Sequence, residues 1–194
     1  MLNTSSIPAE KQWLAGPMII IATTLSTMTN TTVLITGANR GLGKGLLARY
    51  LIKPNYTVIA ANRDPGHPSS IALQKLPKGP GSQLIVIQND ASIFENAAVA
   101  VADLQTNHGI THIDIVIANA GIANVLPTVA NLNIADLREH VNVNLYGVVA
   151  LFQAVRGLLK NSCREPMFLT MGTFAASLTY VKTSLCPSTL QYLT

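Results

Sequence analysis

Charge, aromatics and cysteine are all scarce in this chain. Only 11% of its 194 residues are charged and 5% aromatic, and the 13 basic side chains, set against 9 acidic ones, are scattered rather than gathered into a block. A surface of that kind excludes nucleic acid as a partner, because phosphate backbones are held by clustered cations. The two cysteines, Cys163 and Cys186, have no metal-ligand spacing and read as small hydrophobes in a reducing, cytoplasmic setting. No uninterrupted apolar run approaches the roughly 20 residues of a membrane span. The nearest, Leu14 to Leu25, has the length of a signal-peptide core but is broken by Gly16-Pro17 and several threonines.

Hydrophobic residues, by contrast, make up 48% of the chain, enough for one domain with a substantial core. Residues 1–27 read as an extension outside the fold, 28–178 as the domain, and 179–194 as a divergent tail.

The β-branched run Thr32-Val33-Leu34-Ile35-Thr36 breaks into Gly37-Ala38-Asn39-Arg40-Gly41-Leu42-Gly43 and restarts as Leu46-Leu47-Ala48-Arg49-Tyr50-Leu51. Strand, tight turn, helix is the reading. Glycines let backbone approach a pyrophosphate, and a helix start supplies unpaired N–H groups and the positive end of a dipole. A sharp bend alone would use the same glycines.

The pattern then repeats. The helix should run to about Lys53, where Pro54-Asn55 stops it, and Tyr56-Thr57-Val58-Ile59-Ala60-Ala61 is the next strand. A short helix over Ser69–Leu76 precedes the strand Gln83-Leu84-Ile85-Val86-Ile87, which closes on Asn89-Asp90. A helix over Ile93–Asn107 leads to Ile113–Ala118 and Asn119-Ala120-Gly121, and His108 reads as a surface residue. The longest helix, Ile134–Lys160, carries Leu137, Val141, Leu145, Val148, Phe152, Val155 and Leu159 as one apolar stripe. Pro166–Met171 is a fifth strand, ending Gly172-Thr173. Alternation of this kind predicts an α/β fold: a parallel, doubly wound sheet of the Rossmann type in three layers, reaching about the fifth strand.

In such a fold the end of the second strand faces the adenosine ribose, where an acidic residue suits NAD and a basic one the extra phosphate of NADP. Here it reads Asn62-Arg63, and Arg40 in the glycine turn is a second cation, so the cofactor expected is NADPH. Asp90 reads either as a cap for the next helix or as an acceptor for the adenine amino group. Asn144 lies in an apolar helix, where an amide costs stability unless it finds partners.

The ordered set T-G-x-x-x-G-x-G, Asn119-Ala120-Gly121, Asn144-x-x-Gly147 and Thr173 resembles the short-chain dehydrogenase/reductase family over about Thr31–Leu178. Tyr56–Pro65, Ile117–Ile122 and Leu151–Ala154 are similar to the norsolorinic acid ketoreductase group of fungal polyketide pathways. The resemblance implies a cofactor site of Gly37, Asn39, Arg40, Gly41, Leu42, Gly43, Asn62, Arg63, Asp90, Asn119, Ala120 and Gly121. It also implies Asn144 in a proton relay, Thr173 as the hydroxyl on the substrate carbonyl, a small-molecule ketone as substrate and a homo-oligomer as a possible assembly. No metal is implied.

The family's next motif, Tyr-x-x-x-Lys, supplies the proton donor and the lysine that lowers its pKa. It is not found here: Ser184 stands four residues after Tyr180, Lys182 is at the wrong spacing and Tyr192 is near the end. Tyr180 follows Thr173 by seven residues, where the family leaves about a dozen. The departure reads as a truncated or mispredicted product. It leaves open a catalyst of reduced activity, a nucleotide-binding protein without turnover, and a fragment that does not fold alone.

Overall fold

The β-branched runs become five parallel strands: β1 (Thr31–Thr36), β2 (Tyr56–Asn62), β3 (Gln83–Gln88), β4 (Ile115–Ala118) and β5 (Met167–Thr170), in the order β3-β2-β1-β4-β5. This computed structural model describes residues 30–125 and 127–172. Thr173 and the proposed extension and tail at 1–27 and 179–194 lie outside the described residues. Each crossover between neighbouring parallel strands passes through helix, as parallel pairing requires.

Side chains alternate across the strands and so divide the core between the two faces of the sheet. Leu34, Ile59, Ile85, Ile87 and Val116 pack with Leu104 of α3 (Phe94–Thr106) and Leu151, Val155 and Leu158 of the last helix. Val33, Ile35, Val58, Ala60, Ile115 and Ile117 pack on the other face, with Leu47 and Leu51 of α1 (Gly41–Leu51) and Leu73.

Several boundaries differ from the expected ones. Helix α1 ends at Leu51 rather than near Lys53, and the chain then turns through Pro54 and Asn55, whose φ of 59° is left-handed. The helix expected over Ser69–Leu76 begins at Pro68 and tightens after α2 (Pro68–Ile71) into a 3₁₀ turn, Ala72–Lys75.

The longest helix is not uniform. α4 (Ile134–Val141) passes through a π turn at Asn142–Tyr146 into α5 (Gly147–Lys160). Its buried face carries His140, Asn144, Gly147, Leu151, Val155, Leu158 and Leu159, so the expected stripe stands mostly one position aside: Leu137, Val141, Leu145 and Val148 are half-buried and Phe152 is 47% exposed. Two local demands set that face. Gly147 has no side chain and rests against the Ala91 backbone, where a Cβ would collide with the carbonyl oxygen. His140 and Asn144 turn inward because the loop after β4 offers them backbone partners.

By length and composition the 27-residue run Ile134–Lys160 is also apolar enough to cross a membrane. In the fold its Leu151, Val155, Leu158 and Leu159 lie in the core between the sheet and α3, while Arg138, Glu139 and Arg156 lie at the surface. Phe152 meets Phe168 of β5 edge to face, 5.1 Å between centroids. Cys163 is exposed rather than a buried hydrophobe, and His108 is exposed beside Asp103.

Candidate cofactor and substrate clefts

In the order β3-β2-β1-β4-β5, chain direction through the sheet reverses between β1 and β4. Ligands of open parallel sheets settle at the carboxyl ends of the strands at that switch. A cleft of about 560 Å³ lies there, lined by the glycine turn after β1, the segments after β2, β3 and β4, and Glu139 and Val143.

The turn after β1 is fixed from below. Gly37 has φ +61°, donates to the Ala61 carbonyl at 2.9 Å, and leaves room against Ala120, whose Cα would lie 3.1 Å from an added Cβ. Gly43 is tighter: a Cβ there would stand 2.5 Å from both the Gly37 oxygen and Asn119 Nδ2. Among the described residues no side chain caps α1, so the N–H groups of its first turn, at Gly41, Leu42 and Gly43, suit an anion in the cleft. Gly41, at φ +53°, has open space where a side chain would stand.

Asn62 serves this turn from underneath. It is fully buried, takes the Ala38 N–H on Oδ1 at 2.8 Å and donates Nδ2 to Ser70 Oγ at 3.2 Å. It shapes the cleft without lining it, which differs from the direct contact that the resemblance implies. Asn119 ties β4 to β1, donating its backbone N–H to Thr36 Oγ1 (3.0 Å) and Nδ2 to the carbonyls of Thr36 (2.9 Å) and Gly37 (3.2 Å). Ala120 N–H adds a second bond to Thr36 Oγ1 at 2.9 Å.

Arg40 and Arg63 both line the cleft and are exposed, and among the described residues neither is in an ion pair. The carboxylates nearby have local partners. Asp64 Oδ1 accepts from Gly66 N–H at 2.8 Å, and Asp90 Oδ1 accepts from the Ser92 N–H (2.9 Å) and hydroxyl (2.7 Å). Asp90 is therefore not the cap of α3, whose first residue is Phe94, although it does line the cleft.

A second cleft, about 420 Å³, opens on the other side of the loop after β4. The two share Leu42 and Asn119–Ile122, and the second adds Asn144, Leu145, Val148, Val149 and the end of β5, Thr170–Gly172. Asn144 is 5% exposed and grips the loop at Ile122 through both ends of its amide. Thr173 follows Gly172 and lies outside the described residues.

The residues present fit a dinucleotide. The turn excludes side chains where backbone must come close, the helix start faces the cleft, and buried Asn89 has an amide oxygen without a partner among the described residues on the cleft wall. Sequence reasoning missed His67, Ser69, Asn89, Ser92 and Glu139 as lining residues. His67 and Ser69 had a readable signal in their place just after the second strand. Glu139 and buried His140 had none, because periodicity put the core face elsewhere.

Comparison with known proteins agrees with this geometry. Residues 31–164 match the family model for short chain dehydrogenase. Norsolorinic acid ketoreductase nor1 of Dothistroma septosporum is 41% identical over 153 residues, covering 78% of this chain and 57% of that protein. Norsolorinic acid ketoreductase stcE of Emericella nidulans is 40% identical over 149 residues, 77% of this chain and 56% of that one. The chain thus spans little more than half the length of these curated relatives. Among solved structures, NADPH-bound carbonyl reductase from chicken fatty liver superposes with a TM-score of 0.68 at 27% identity, covering 79% of this chain and 63% of its own. With its parallel sheet, its glycine turn at the switch point and a match over most of its length, the chain belongs to the short chain dehydrogenase family.

Proposed function

We propose that this protein is an NADPH-dependent ketoreductase-type oxidoreductase that converts a ketone, on an aromatic polyketide, to an alcohol. The observation that carries the reading is the pair of clefts sharing one wall, Leu42 and Asn119–Ile122, so that a cofactor in one and a ketone in the other meet at the loop after β4. When bound, NADPH supplies the hydride.

This chain's own residues divide the remaining work. The first turn of α1 directs its N–H groups to the pyrophosphate, while Arg40 and Arg63 pair the 2′-phosphate. Gly121 and Ala120 keep the wall thin where the two ligands approach. Asn144 holds the loop in register and stands at the proton-relay position. The Thr173 hydroxyl donates to the substrate carbonyl, and water delivers the proton. The aromatic polyketide as substrate rests on the named relatives, and the apolar side chains of the second cleft, Leu145, Val148 and Val149, suit such a ring.

One observation favours a second reading: the 194 residues hold no Tyr-x-x-x-Lys pair. A protein that binds NADPH without turnover uses the same first cleft and needs no such pair. General acid catalysis contributes about 10²- to 10⁴-fold, so slow turnover is the signature of the first reading and none that of the second.

Thermal melts of the purified chain with NADPH and with NADH test the cofactor. Ligand at a hundred times its dissociation constant adds about 2.7 kcal/mol to folded-state stability. Stabilisation by NADPH alone supports the reading, and stabilisation by neither removes it. Consumption of NADPH with an aromatic ketone, abolished by Thr173→Ala, then separates catalyst from binder.

A further inference from the structure

His67 has no part in the roles above. It follows the turn Arg63–Gly66, precedes α2, and lines the larger cleft together with Arg63, Arg40 and Ser69. Its ring is held at Nδ1 by Ser69. Ser69 N–H donates to Nδ1 at 3.2 Å, and Ser69 Oγ lies 2.7 Å from the same nitrogen. Asn39 Nδ2 in turn donates to that Oγ at 2.8 Å.

The Ser69 N–H takes the single in-plane lone pair of Nδ1, and Ser69 Oγ accepts from Asn39. With Nδ1 an acceptor, Nε2 is the ring nitrogen that bears a proton and can donate. Asn39, Ser69 and His67 are thus linked in series along the cleft wall. The adjacent carboxylate, Asp64, is turned onto Gly66 N–H and does not take up this donor.

We infer that His67 is a specificity residue of the cleft: its Nε2–H donates to the 2′-phosphate of the cofactor beside Arg40 and Arg63, and it strengthens discrimination between NADPH and NADH. The inference rests on the NADPH reading above and adds to it a further donor, supplied by the segment after β2 and held by Ser69.

Calorimetry on the full chain with adenosine 2′,5′-bisphosphate and with adenosine 5′-monophosphate tests it. His67→Asn places an amide oxygen where Nδ1 stands and so keeps the bond to Ser69, but its amide nitrogen falls short of the Nε2 position. His67→Gln places an amide nitrogen near that position. We expect His67→Asn to weaken the bisphosphate about tenfold while leaving the monophosphate unchanged, as loss of one hydrogen bond to a charged group predicts. His67→Gln should recover most of the loss.

If His67→Asn binds the bisphosphate as the parent does, or weakens both nucleotides equally, the inference is overturned while the NADPH reading stands. If the parent binds the two nucleotides alike, both fall together.

Discussion

Asn144 and Ile122 exchange two hydrogen bonds: Ile122 N–H donates to Asn144 Oδ1 at 2.8 Å, and Asn144 Nδ2 donates to the Ile122 carbonyl at 2.9 Å. A side-chain amide here does what a neighbouring strand does in a sheet, closing both polar groups of one loop residue. Asn144→Ala leaves those groups, on a half-buried loop, without that partner. We expect a loss of about 0.5–1.5 kcal/mol in urea denaturation. NADPH affinity should fall as well, since Ile122 borders both clefts.

The glycines of the first turn and helix separate conformational need from mere presence. Gly43→Ala forces a methyl group against the Gly37 carbonyl and Asn119 and should abolish cofactor-induced stabilisation in a thermal melt. Gly45, one turn into α1 with open space around it, is the internal control. Gly45→Ala should raise stability by about 0.4–1 kcal/mol, because it restricts the unfolded chain without straining the folded one.

At the amino ends of the strands, away from the clefts, Asp114 is a structural carboxylate. It is 2% exposed, accepts from Thr32 N–H at 2.8 Å and from the Ser162 hydroxyl at 2.6 Å, and joins β1 to the segment after α5. Asp114→Ala strands a buried N–H and should cost about 1–3 kcal/mol by chemical denaturation. The NADPH-to-NADH affinity ratio of the surviving folded protein should not change, since Asp114 lies outside both clefts.

Arg63→Ala should lower affinity for NADPH by roughly tenfold or more and leave NADH nearly unaffected, as loss of a charge-assisted contact predicts. Fluorescence titration with each nucleotide measures the ratio. Equal losses for both would move Arg63 out of the phosphate site.

How much of this was legible beforehand follows from which interactions are local. The strand and turn at Thr32–Gly43 were readable because β-branched residues and glycines constrain their own backbone. The parallel sheet with helices on both faces followed from the repeated strand–helix unit, whose crossovers have one favoured hand. The buried face of the long helix was not readable. Its choice of His140, Asn144 and Gly147 over Leu137, Val141 and Leu145 depends on backbone groups of Ile122, Asn124 and Ala91, which are remote in sequence. Asn62 shows the same limit in the site itself. Its place at the end of β2 suggested a ligand contact, but only the packed turn shows that Ala38 N–H already occupies its oxygen.

The order of the strands also has a meaning in time. All the residues that line the larger cleft fall between Gly37 and Val143, and β5, at the edge of the sheet, contributes none of them. Synthesis from the amino terminus therefore delivers the complete set of nucleotide-facing residues before the edge strand exists. In a growing chain, the parts of the nucleotide site precede the strand end that faces the second ligand.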